Sequence, residues 1–191
     1  MSAILDDGYA ATGQVQLTLD AMLIYEDLST GLRAKRVLEH AARQFPMAPN
    51  FNLAIWRIDV LREPRWRNTA LHEASEAVIG VVSAHGQQDL PKIAKGWLKH
   101  WLKRKGDESR ALIVSFDDTS RDSASAAQTI SWLQQEARAR DVVVLPHFGD
   151  TPRWKGVLAM DGGENSASAK TAVLADIRRW TERRSDWGIN E

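Results

Sequence analysis

Cysteine is absent from the 191 residues. Its absence excludes disulfides, thiolate metal centres and cysteine nucleophiles, and it fits a reducing cytoplasm. Net charge is absent too: 25 Lys and Arg balance 25 Asp and Glu. A balanced chain has no global attraction to nucleic acid or to an anionic membrane. No apolar run approaches the ~18 residues that a membrane helix needs. Residues 1–16 hold no basic stretch followed by an apolar core, so they read as a flexible leader and not a secretory signal. Several motifs are also missing. There is no Gly-x-x-x-x-Gly-Lys-Ser/Thr loop and no Gly-x-Gly-x-x-Gly after the first strand, which removes the anchors of P-loop and dinucleotide-binding readings. No Gly-x-Ser-x-Gly elbow presents a serine nucleophile.

What is present is a repeated alternation. Five short apolar runs stand out: Ala21–Tyr25, Leu53–Trp56, Val78–Val82, Ala111–Val114 and Val142–Leu145. Continuous apolar strands are buried on both faces. Each run is followed by a helical stretch, which predicts βαβ units and a parallel sheet. The expected fold is therefore α/β: a three-layer α/β/α sandwich around five parallel strands in the flavodoxin-like order 2-1-3-4-5. With right-handed crossovers, strands one, three and four are central. Any site then lies beyond their carboxyl ends, among the loops 26–31, 83–90, 117–123 and 146–152.

One domain spans 17–187, without internal repeats. A first helix is expected from about Thr30 to Phe45, with Leu32, Val37, Leu38, Ala41 and Phe45 on its buried face. The second strand is expected over Phe51 to Val60, and a helix opens at Pro64. The next helix, Pro91 to Lys105, is amphipathic: Ile93, Ala94, Trp97, Leu98, Trp101 and Leu102 form one stripe, and Lys92, Lys95, Lys99, Lys103 and Arg104 form a solvated one. The fourth strand is Arg110 to Phe116, its helix Ala124 to Arg140, and the fifth strand ends at Pro146. Residues 148–166 read as a long irregular loop, a lid or a mobile segment. A last helix, about Ala167 to Arg184, carries Trp180, and Trp187 follows it.

Three groups of residues carry chemistry. Glu26, Asp27, Asp117 and Asp118 fall in two strand-end loops. Converging carboxylates hold a hard cation such as Mg²⁺, whereas single acids at helix starts act as caps. Ser29, Thr30 and Gly31 combine hydroxyls, a glycine and a helix start, the ingredients of a phosphate site, although Glu26 and Asp27 immediately upstream repel a phosphate. His85 and His147 stand in expected carboxyl-end loops, where a histidine serves as base, ligand or exposed hydrogen-bonding group. Ser83 and Ser115 end two central strands and complete the cleft candidates.

Two resemblances attach to these residues. Leu23-Ile24-Tyr25-Glu26-Asp27, followed by an Arg-rich amphipathic helix with Leu38, resembles the start of a response-regulator receiver domain. The resemblance implies Mg²⁺ at Glu26 and Asp27. It departs where the phosphoacceptor aspartate belongs: Ser83 or Ala84 stands there. Ser115 fits that family's Ser/Thr switch, and Pro146-His147 replaces its Lys-Pro. Ser29-Thr30-Gly31, with Leu90 to Leu98, also resembles flavodoxins and NAD(P)H-dependent FMN reductases. That implies FMN bound through Ser29, Thr30, Gly31 and His85.

The leading expectation is a non-catalytic regulatory or protein-interaction module in signal transduction: a receiver-like domain that needs no cofactor and works through a protein partner or by self-association, with Trp180 and Trp187 at a dimer face. The alternatives are an FMN-binding oxidoreductase and a Mg²⁺-dependent hydrolase or phosphotransfer enzyme. The cytoplasm is the expected location.

Overall fold

A computed structural model describes residues 18–43, 49–104, 110–138, 140 and 142–150. Five strands form one sheet: β1 (Thr18–Tyr25), β2 (Asn50–Arg57), β3 (Ile79–Ser83), β4 (Arg110–Phe116) and β5 (Val142–Phe148). Their order is β2-β1-β3-β4-β5 and every pairing is parallel. The expected flavodoxin-like topology is therefore the observed one. Four helices link the strands: α1 (Leu28–Ala42), α2 (Pro64–Glu73), α3 (Lys92–Leu102) and α4 (Ala124–Ala137). No described helix is long and apolar enough to cross a membrane. The expected leader, most of the 148–166 loop and the last helix with Trp180 and Trp187 lie outside the described residues.

The alternation of side chains along the strands divides the core in two. Leu19, Ala21, Leu23, Ile79, Val81 and Ile113 face α1, against Ala34, Val37 and Leu38. Met22, Ile24, Val82, Leu112, Val114 and Phe116 face α2, α3 and α4. Trp97 and Trp101 of α3 are the largest side chains buried there. The sheet is thus sandwiched between helices, and its central strands are buried on both faces as their composition requires.

Several boundaries differ from expectation. Helix α1 begins two residues earlier, at Leu28, because Asp27 caps it. Leu32 is half exposed, and Arg33 takes the buried position beside it. Strand β2 stops at Arg57; Val60–Arg62 is a single 3₁₀ turn. It is an edge strand, not one buried on both faces, with Leu53 and Ile55 exposed. Pro91 stands at the N-cap position, one residue before α3, and makes no side-chain cap bond. β5 runs past Pro146 to Phe148, so His147 is a buried strand residue and not a loop histidine.

Candidate functional site

The chain crosses to opposite faces of the sheet after β1 and after β3, so the carboxyl ends of these neighbours open the crevice expected of such sheets. Asp27 follows β1 and is the N-cap of α1. Its Oδ1 accepts the Thr30 N–H at 2.9 Å, while Thr30 Oγ1 accepts the Glu26 and Asp27 N–H groups at 3.0 and 2.9 Å. Ser29 Oγ donates to the same carboxylate at 2.9 Å. The hydroxyls of the 29–31 segment are therefore turned back on the cap. Gly31 leaves room for the Tyr25 ring, which lies 3.0 Å from where a Cβ would stand. The Asp27 carboxylate occupies the helix N-terminus where a phosphate would sit, and like charges repel.

His85 follows β3 and reaches both neighbouring loops. Its Nε2 lies 2.9 Å from Asp27 Oδ2 and its Nδ1 lies 2.8 Å from Asp117 Oδ2. Ionised carboxylates only accept, so this geometry favours the protonated ring, in which both nitrogens donate. The hydrogen bonds to Asp117 and then Asp27 raise the His85 pKa against the smaller effect of burial. The backbone N–H of His85 donates to Glu26 Oε2 at 2.7 Å. Asp27 is held well below the ordinary carboxylate range, chiefly by the Thr30 N–H and by His85. Burial pushes Asp117 upward, but the hydrogen bonds from His85 and Arg33 outweigh it and its pKa is lowered.

Arg33 comes from the buried face of α1. Its guanidinium donates to Asp117 Oδ1, to Ser83 Oγ at 3.2 Å and to the Ala84 carbonyl at 2.7 Å. The chain Asp27–His85–Asp117–Arg33 therefore ties together the loops after β1, β3 and β4. Further bonds hold the 84–89 loop: Ser120 Oγ donates to the His85 carbonyl at 2.6 Å and Ser123 Oγ to the Gly86 carbonyl at 2.7 Å. Gly86 has φ +82°, and a Cβ there would fall 2.8 Å from the Phe116 ring, so glycine is required on both counts.

Of the other candidates, Ser83 joins the cluster through Arg33 and the rest stand apart. Asp118 turns away to pair with Arg121 at 2.8 Å. Ser83, Ser115 and His147 align instead in one cross-strand row with Tyr25, on the α1 face of the sheet. His147 Nε2 donates to the Gly149 carbonyl at 2.8 Å. Burial lowers the His147 pKa, so it is neutral at pH 7. The buried Ser115 Oγ has no hydrogen-bond partner among the described residues.

Of the expected acidic group Glu26, Asp27, Asp117 and Asp118, the structure gathers the first three around His85, which was read as a separate candidate, and leaves Asp118 outside. Arg33 was missed, although Thr30, Arg33, Ala34, Val37 and Leu38 follow the i, i+3, i+4, i+7, i+8 spacing of a buried helix face. Among the described residues, no group of three or more His, Asp or Glu side chains is arranged to hold a metal ion. The convergent carboxylates are engaged by His85 and Arg33, two cations standing where an added cation would have to compete. Compared with known proteins, the sequence matches no family model and no curated protein.

Proposed function

We propose that this domain is a non-catalytic regulatory or protein-interaction module, receiver-like in layout but without a phosphoacceptor aspartate. The observation that carries this reading is the closure of the charge cluster. Both nitrogens of His85 and each of the three nitrogens of the Arg33 guanidinium already have a protein partner. A general base needs a free lone pair, a metal site needs free carboxylate oxygens, and a phosphate site needs an unoccupied helix end. In this cluster those groups bind one another and join three loops into a fixed surface. The cluster is a structural latch, and the surface it fixes is what a partner meets.

The alternatives predict ligands, which makes the reading testable. FMN fluorescence titration and calorimetry with Mg²⁺ and with Mn²⁺ are expected to give flat traces. Saturable FMN quenching lost in His85→Ala would install the oxidoreductase reading. Saturable heat with Mg²⁺ or Mn²⁺ lost in Asp27→Asn would install the metal-dependent one.

A further inference from the structure

Strand β2 is the outer strand on one side of the sheet and, among the described residues, pairs only with β1. Its eight residues match β1 one for one, so no bulge twists the edge away. Natural edge strands are guarded by proline, lysine, inward charges or bulges. The other edge, β5, carries Pro146. β2 carries none of these: Asn50 to Trp56 has no charged residue and no proline, and Arg57 is tied to its own Asp59 at 2.6 Å. Among the described residues, three of the five exposed large apolar side chains lie along this edge: Leu53 and Ile55 on one face, and Trp66 of α2 on the other. Trp66 stands beside Trp56 with ring centroids 6.2 Å apart.

From this we infer that the β2 edge pairs with the β2 edge of a second copy, antiparallel about a two-fold axis, making one continuous ten-stranded sheet. Facing residues of an antiparallel pair share one face of the sheet. An axis through Leu53 therefore sets Leu53 against Leu53 and Phe51 against Ile55, a closed apolar cluster on the α1 face. With no charge from Asn50 to Trp56, no like charge opposes its own copy within that span. An eight-residue strand is about 26 Å long, and a sheet with the side chains on its two faces is about 10 Å thick. The strip covers about 260 Å² per copy, below the ~1,000 Å² total of a stable specific interface, so the dimer is weak and reversible, held by main-chain pairing and the apolar cluster. The dimer supplies a partner for the interaction-module reading and rests on it only for its purpose. The two fail separately, because neither FMN nor Mg²⁺ binding reports on this edge.

The absence of cysteine makes a direct test possible. Facing Cβ atoms in an antiparallel sheet lie about 4.5–5.5 Å apart, near the span of a disulfide. In Leu53→Cys the introduced thiol meets its own copy on the axis. Mild oxidation of this variant is expected to yield a covalent dimer at least tenfold faster than oxidation of Leu32→Cys, a comparably exposed control on α1. Sedimentation of the full wild-type chain from about 1 to about 300 μM is expected to show a concentration-dependent dimer. Leu53→Lys, which sets two ammonium groups against each other, is expected to sediment as a monomer. Because Leu53 is exposed, the melting temperature should stay unchanged; if it does not, Ile55→Lys serves in its place. A wild-type chain monomeric throughout this range, or equal cross-linking of the two cysteine variants, or a dimer that survives both lysine substitutions, overturns the inference.

Discussion

Arg33→Met removes the guanidinium while keeping most of the aliphatic stem. The side chain is 4% exposed and its pairing with Asp117 spans α1 and the loop after β4. Breaking a buried charged pair by deleting one partner costs about 3–5 kcal/mol. Asp117 is 30% exposed and keeps its bond to His85, so the lower end of that range applies. The Ser83 hydroxyl and Ala84 carbonyl, both buried, would lose their bonds to Arg33, and an unsatisfied buried group costs about 1–3 kcal/mol. We expect a loss of about 3 kcal/mol, which for a domain of this size lowers Tm by about 6–12 °C. Arg36→Met is the control: Arg36 is half exposed and pairs with Asp150 at 3.2 Å, a surface contact worth less than about 1 kcal/mol. Urea denaturation followed by circular dichroism measures both. In the double variant Arg33→Met/Asp117→Asn the orphaned charge is gone, so its loss should be smaller than the sum of the single losses. A change within about 1 kcal/mol for Arg33→Met, or equal losses in Arg33→Met and Arg36→Met, would refute the role assigned to the latch.

Two further outcomes follow from the buried polar groups. The histidines give stability opposite pH slopes: His85, raised by Asp117 and Asp27, contributes fully below the unfolded value of 6.5 and loses its contribution as pH rises through its folded value. His147, lowered by burial, contributes fully above 6.5 and loses as pH falls through its folded value, because only the unfolded chain then takes up the proton. Urea midpoints across pH 5–9 should therefore flatten on the alkaline side in His85→Gln and on the acid side in His147→Gln; unchanged slopes would count against the hydrogen bonds assigned to each ring. For the serines, Ser115→Ala should leave stability equal or higher by up to about 1 kcal/mol, since a buried hydroxyl without a partner is a net cost, while Ser83→Ala should lose about 1 kcal/mol with its bond to Arg33; a larger loss for Ser115→Ala, read from the same denaturation curves, would mean its hydroxyl has a partner such as a bound water.

The sheet was legible because its central strands obey one rule. β4 spans Arg110–Phe116, as its unbroken apolar run indicates, and all seven residues are buried. The misreadings arise where a second rule competes. Ile58 and Leu61 extend the apolar run of β2 because they are buried beneath α2, yet the chain has already turned into its 3₁₀ segment. Pro146 reads as the end of β5, but on an edge strand the missing N–H can face outward, and the exposed proline is followed by two more paired residues. Arg33 was passed over because charge is a cue for solvent, and it overrode a position that the helical period places inside.

The same competition explains why the cluster was legible as a place and not as a function. In sequence, Glu26, Asp27, His85 and Asp117 are equally consistent with carboxylates awaiting a cation and with carboxylates already neutralised. What bears on the two is one side chain on another element: Arg33 brings its charge into the crevice and donates to Asp117, and Asp117 with Asp27 raises the His85 pKa. The apolar sheet ends in a polar row, Tyr25, Ser83, Ser115 and His147, on the face that α1 covers. Arg33 reaches across that row to the outer carboxylate, and so couples the core to the loops. A charge that satisfies its neighbours in this way stabilises a shape: the three strand-end loops are held by their own ion pairs.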